Sequence, residues 1–173
     1  NQEILPRLFR IVRATDSNSP ADPHALWCID GLGAIKPGSE AIDVVSDALK
    51  HSDPAVRKAA IQILSAVRWT ETEVMNSGIL DDPDPNTRLT AFLSLTRMSP
   101  SRQVGEKLYE ISKEENVRND NWLAKAVYIA AATHRDGFIQ ALHVDQPDFD
   151  PSTVSVKREL SDHPDGEWKT MAL

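Results

Sequence analysis

A single cysteine, Cys28, in 173 residues leaves no partner for an internal disulfide. No Cys-x-x-Cys-His occurs, so the chain cannot attach a haem covalently. Neither a Gly-x-Ser-x-Gly elbow nor a phosphate-cradling glycine-rich loop is present, which leaves nucleophilic and phosphoryl-transfer chemistry without an anchor. No apolar run approaches the ~20 residues needed to cross a bilayer. No stretch before residue 150 alternates at period two over a useful length, so the body is not a sheet. Basic excess is also missing. Lys and Arg number 19 against 26 Asp and Glu, a net charge of -7, which opposes bulk nucleic-acid binding but is compatible with a local basic patch. What remains is 40% hydrophobic and 26% charged, the balance of a folded chain. A domain of this length buries roughly 70% of its unfolded surface, enough for a core without staples. The first residue is Asn1 with no leader pattern behind it, and the chain reads as an excised or processed piece of a longer one.

Proline then punctuates the sequence at a fixed interval. Asp22-Pro23, Asp53-Pro54 and Asp84-Pro85 are evenly spaced, the step from the first pair to the second being repeated from the second to the third. Each pair places a side-chain acceptor where a helix N-cap belongs and a ring in the first turn, where no N–H is needed, so each should open a helix. Their contents agree. Val56, Arg57, Ala60, Ile61 and Leu64 follow the second pair as Thr87, Arg88, Ala91, Phe92 and Leu95 follow the third.

The segment after Asp53 carries Val56, Ala59, Ala60, Ile63, Leu64 and Val67 at helical spacing, one continuous apolar stripe. Sliding that stripe along the chain until Val56 falls on Leu123 brings the other positions onto Ala126, Val127, Ala130, Ala131 and His134, which predicts a further repeat opening near Asp120. After Asp84 the stripe positions include Thr90 and Ser94, with Leu89, Phe92 and Leu93 beside them, so that helix should bury a wider or rotated face. Partner helices are expected from Glu40 to Lys50, from about Glu71 to Leu80 and from Arg102 to Glu114, with an opening helix near Glu3 to Ala14 that tolerates Pro6 only in its first turn. Antiparallel helix pairs joined by short loops and repeated at this period form an all-α solenoid of about four pairs. Residues 1–144 make this helical repeat domain. Residues 145–173 read as an acidic, Pro-containing, mostly irregular linker or strap toward a following domain, with seven acids against three bases.

The run Asp53-Pro54-Ala55-Val56-Arg57-Lys58-Ala59-Ala60-Ile61-Gln62-Ile63-Leu64 resembles the second helix of a HEAT-type repeat, and Asp84-Pro85-Asn86-Thr87-Arg88 repeats it. The resemblance covers roughly residues 1 to 143 and implies a right-handed stack. It also implies that Asp53, Arg57, Asp84 and Arg88 form a ladder of hydrogen bonds between neighbouring repeats. His24-Ala25-Leu26-Trp27-Cys28-Ile29-Asp30-Gly31-Leu32-Gly33-Ala34 and Asn121-Trp122-Leu123-Ala124-Lys125-Ala126-Val127 are similar to the HEAT segment of large bacterial secreted or periplasmic proteins. Those proteins also carry a sugar-dehydrogenase-like β-propeller and a c-type cytochrome module, where their catalytic and haem residues lie. The likeness therefore implies a context, with a periplasmic or secreted location, and no active site.

Candidate sites are few. His24 and Cys28 stand at i, i+4 without a third or fourth ligand, and Cys28 sits in an apolar helical run where a lone thiol is expected as buried filler. A calcium loop starting at Asp82 lacks glycine at position six and has Leu93 where a glutamate is needed. One starting at Asp148 has Asp150, Ser152 and Glu159 in register but Pro151 and Thr153 where the loop must turn. No metal, cofactor or catalytic residue is expected. Arg7, Arg10 and Arg13 form a row on the opening helix that could meet an anion, and Trp27, Trp69 and Trp122 are candidates to line a concave groove. The expected function is a non-catalytic scaffold or protein-interaction module, monomeric by itself, whose partners are other domains of its parent or another protein. The alternatives are a HEAT protein that engages nucleic acid or another anion through a basic concave face, and an accessory domain of a periplasmic haem or sugar oxidoreductase.

Overall fold

The computed structural model describes residues 3–14, 21–67 and 70–148. They form ten α-helices and, among the described residues, no strand. These are α1 (Leu5–Val12), α2 (Ala21–Gly31), α3 (Glu40–Asp47), α4 (Pro54–Val67), α5 (Glu71–Ser77), α6 (Pro85–Leu95), α7 (Arg102–Ser112), α8 (Glu115–Arg118), α9 (Asn121–Thr133) and α10 (Arg135–Asp145). Single 3-10 turns, Ala48–Lys50 and Ile79–Asp81, extend α3 and follow α5.

The helices begin where side chains can satisfy the orphan N–H groups of a first turn. Asp84 accepts from the Thr87 N–H at 2.7 Å, and Asp120 from the N–H groups of Trp122 and Leu123 at 2.8 and 3.0 Å. Asp53 accepts from the Ala55 N–H at 2.8 Å. On the partner helices Ser39 and Ser101 do the same work, and Thr70 with Glu73 forms a reciprocal capping box. The first Asp-Pro pair departs from this pattern. Asp22 and Pro23 are the second and third residues of α2, and Asp22 is buried, so the helix opens ahead of the pair.

Stacking follows the apolar stripes. Helices α2, α4, α6 and α9 pack in succession as one layer, while α1, α3, α5, α7 and α10 form the other, giving an α-solenoid of four helix pairs closed by α10. Val56, Ala59, Ala60, Ile63 and Leu64 are buried in α4, and so are all of their expected counterparts around α9, from Leu123 to His134. In α6 the stripe keeps its register: Thr87, Ala91, Ser94 and Leu95 are buried. Contrary to expectation the face is neither wider nor rotated: Arg88 and Phe92 are buried just as Arg57 and Ile61 are in α4, and Leu93 points outward. Cys28 is also exposed, contrary to the expectation from its neighbours, because α2 buries Asp22, Ala25, Leu26 and Ile29 and turns Trp27 and Cys28 away.

Neither α8 nor α10 is signalled by caps or prolines. Helix α10 follows α9 with only His134 between them and crosses α7 at two glycines. A Cβ on Gly105 would collide with the His134 carbonyl, and one on Gly137 with the Arg102 carbonyl. His134 pins the same junction. Its Nδ1 accepts from the Ser101 N–H at 3.0 Å and its Nε2 donates to the Leu95 carbonyl at 3.1 Å, which fixes the neutral tautomer. Residues 149–173, which include most of the proposed linker and the Asp150, Ser152 and Glu159 positions, lie outside the described residues.

Candidate functional site

Two features could carry function: the joints between repeats and the outward row along the α2, α4, α6 and α9 layer. At the joints, the fork of Arg57 reaches into the next repeat, donating through Nε and Nη2 to Asp82 at 2.6 and 2.8 Å. Its Nη1 donates to the carbonyls of His51 and Ser52 at 2.7 and 2.9 Å. Both partners are almost fully buried, so this bidentate pair is little screened by salt. Arg88 repeats the arrangement, with Nε on the Leu80 carbonyl and Nη2 on Glu114, both at 2.9 Å.

The arginines therefore bond across the joints to Asp82 and Glu114, while Asp53 and Asp84 bond within their own repeats. An N-cap carboxylate is committed to the first turn of its own helix, so the acids that meet the arginines stand earlier in the chain: Asp82 two residues before Asp84, and Glu114 six residues before Asp120. Asp82 also accepts from the Asp84 N–H at 2.8 Å. At Asp84 burial raises the carboxyl pKa, but the Thr87 hydroxyl and N–H and the charges of Lys58 and Arg57 outweigh it, and the net direction is down.

The interval that carries Asp53 onto Asp84 also carries His51 onto Asp82 and Leu26 onto Arg57. His51 keeps the local role, its Nδ1 accepting from the Asp53 N–H at 3.0 Å. The first joint thus has a buried leucine and a histidine where the later two have ion pairs, and the buried His51 Nε2 has no hydrogen-bond partner among the described residues. The local signal for this set was present in the sequence, since Asp82 precedes Asp84 as His51 precedes Asp53.

The outward row has a distinct chemistry. Helices α4, α6 and α9 contain no Asp or Glu at all, whereas α3, α5 and α7 contain seven. Along the row the register lines are Trp27, Lys58, Leu89 and Lys125, then Gly31, Gln62, Leu93 and Ile129, then His24, Ala55, Asn86 and Trp122. Trp27 is 43% exposed, Leu93 44%, Ile129 52% and Trp122 71%. Trp27 and Trp122 share the layer but stand on different register lines, and Trp69 lies outside the described residues. Leu93 and Ile129 were not singled out in the sequence, although Leu93 stands off the buried stripe.

Arg7, Arg10 and Arg13 are exposed on α1, in the opposite layer, so the structure does not join them to the tryptophans. Arg13 pairs with Glu40 at 3.0 Å. Between α5, α7 and α10 runs an open groove of about 740 Å³, lined by Met75, Gln103, Glu106, Gln140 and Val144 among others. His24 and Cys28 are both exposed, and among the described residues no three His, Cys, Asp or Glu side chains converge as a metal site. No described helix is long and apolar enough to cross a membrane.

No curated protein and no solved structure matches the chain. A family model for HEAT repeats matches residues 11–76, which span α2 to α5 and the first Arg57-bearing repeat. The chain carries a HEAT-repeat segment, in the α-solenoid architecture that its helices build.

Proposed function

We propose that the protein is a non-catalytic scaffold that docks a partner protein along the outward row of α2, α4, α6 and α9. One observation carries the reading: three consecutive helices of that layer have no carboxylate, yet they expose Leu93, Ile129 and Trp122 beside Lys58 and Lys125. Apolar side chains exposed singly are ordinary, but Leu93 and Ile129 at matched register on successive helices, with Trp122 on another line of the same layer, offer a helix or strand several anchors at once. The absence of acids from α4, α6 and α9 favours a partner segment that brings its own, so the fitting partner is an acidic amphipathic peptide.

One exposed lysine, Lys125, and one half-buried, Lys58, are few for a polyanion, whose affinity comes mainly from many neutralised phosphates. Arg57 and Arg88 are themselves buried and already committed to Asp82 and Glu114. This weighs toward protein over nucleic acid. Whether the parent carries redox modules, and whether the protein works in a periplasm, are proposals that rest on the resemblance of residues 24–34 and 121–127 alone.

The test is a peptide-display selection on the full chain, followed by calorimetry of the recovered peptides on wild type and on the double variant Leu93→Glu/Ile129→Glu. The expected peptides combine Asp or Glu with apolar residues at i, i+3 or i+4. Losing two anchors worth ~1–2 kcal/mol each should weaken binding tenfold or more. Undiminished affinity of the double variant, or tighter binding of an oligo-dT probe at physiological salt, overturns the reading.

A further inference from the structure

The open groove between α5, α7 and α10 belongs to the layer opposite the row, and its walls explain why it is open. Helix α5 has seven residues where α7 has eleven, and α10 meets α7 closely at the Gly105 and Gly137 crossing. One side of α7 is left uncovered between them. Along it Gln103, Glu106 and Glu110 stand in line at i, i+3 and i+7. Apolar side chains flank this line from both neighbours. Met75 of α5 is 37% exposed and Val144 of α10 78%, and Ala141 stands one turn before Val144. The charge of the groove leans to one sign. Asp145 joins Glu106 and Glu110, and the one cation among the described lining residues, Lys107, is bonded to Asp81 at 2.9 Å. Two further cations reach these acids from beyond the lining. Arg102 pairs with Glu106 and Lys113 with Glu110, each at 2.9 Å, and Lys113 also stands 3.8 Å from Asp145. These pairs are exposed and cost little to exchange for a partner's cations.

We propose that this groove docks a basic amphipathic helix of a partner protein, with apolar residues seated between Met75 and Val144 and Lys or Arg beside Glu106, Glu110 and Asp145. A helix laid in such a groove gains affinity from a few seated side chains, and charges at the rim set its orientation and exclude wrong partners. Glu106 and Glu110 are four residues apart on α7, so the matching cations stand one turn apart on the partner. A methionine wall adapts to apolar side chains of different shape. The same three carboxylates repel a polyanion. They also repel an acidic segment of the kind that fits the row of α4, α6 and α9. The two faces therefore select partners of opposite charge, and one scaffold can hold both at once. Docking in the groove does not depend on docking along the row.

The experiment follows the fluorescence anisotropy of a labelled peptide of Leu and Lys, with Leu at i, i+3 and i+4, on the full chain. It should bind at micromolar concentration, and a peptide of the same composition with the Leu spacing scrambled should bind at least tenfold more weakly. Glu106→Gln/Glu110→Gln should weaken the ordered peptide about fivefold and flatten its salt dependence, and Val144→Lys should weaken it about tenfold. Both variants alter side chains that already meet water, so the fold is kept. Leu93→Ser/Ile129→Ser should leave the affinity unchanged. Absent binding, equal binding of the scrambled peptide, or undiminished affinity in both groove variants overturns the proposal. So does a loss confined to Leu93→Ser/Ile129→Ser, which would place the peptide on the row. Sedimentation of the chain alone adds one outcome: a wild-type dimer that dissociates on Val144→Lys would assign the groove to a second copy and overturn the proposal as well.

Discussion

Arg57 and Asp82 make the tightest polar contact between repeats, and removing either partner strands a charge in a dry site. Arg57→Ala or Asp82→Ala should each cost about 3–5 kcal/mol, read as a shift in the urea unfolding midpoint. The double variant Arg57→Met/Asp82→Leu should lose much less than the two single costs together, because neither charge is left alone. Equal and additive losses would mean the pair does not act as a unit. His134 supplies a pH dependence. Burial pushes its pKa down, against the opposing contributions of the Leu95 and Ser101 hydrogen bonds and of Glu71. The unfolded chain then binds the proton more readily than the folded one, so stability is full above the ordinary histidine range near 6.5. It falls as pH drops through that range toward the lower folded value, with a slope of at most ~1.4 kcal/mol per pH unit. His134→Gln should flatten this slope between pH 7 and 5 in urea titrations, and an unchanged slope would assign it to other groups.

At the scale of helices, the crossing of α7 and α10 depends on two absent side chains. Gly105→Ala or Gly137→Ala would push carbonyl-bearing turns apart, with an expected cost of about 3 kcal/mol or more and faster amide exchange in α10 than in α6. A variant as stable as wild type would show that the helices can slide. This crossing marks the limit of what the sequence discloses. Asp53 and Asp84 were legible as helix starts because the cap and the proline act locally, and Asp120 because the apolar stripe after it matches the one after Asp53. The stripe after Asp53 was legible because burial of a helix repeats every turn. Asp22 misled because a buried aspartate one place inside a helix looks the same in sequence as a cap. Cys28 misled because α2 is apolar on both sides and its neighbours do not say which side turns inward. Helix α10 went unseen because Gly137 speaks against a helix locally and its reason, the Arg102 carbonyl, lies far back in the chain at the start of α7. The pairing of Arg57 with Asp82 and of Arg88 with Glu114 was hidden in the same way, since which acid meets which arginine is decided by stacking.

Across the whole molecule, each repeat leans on its neighbours, so stability is a sum over units and joints. Removing residues 1–35 takes away α1 and α2 and uncovers the side of α4 that packs against α2, and the truncated chain should aggregate. A soluble truncation with one cooperative transition would speak against that dependence. The charge of -7 also divides by place, since α3, α5 and α7 hold seven acids while α4, α6 and α9 hold none. The joints are not equal either. Between the second and third repeats and between the third and fourth, a buried arginine locks one unit to the next, whereas the first joint has Leu26 and a histidine whose ring nitrogen lacks a partner among the described residues. Under a pulling force applied through the two ends, such a chain should yield in a set order, with α1 and α2 peeling away as a separate early step before the locked units give way together. The first repeat would then act as a mechanical fuse, absorbing extension while the remaining surface keeps its shape.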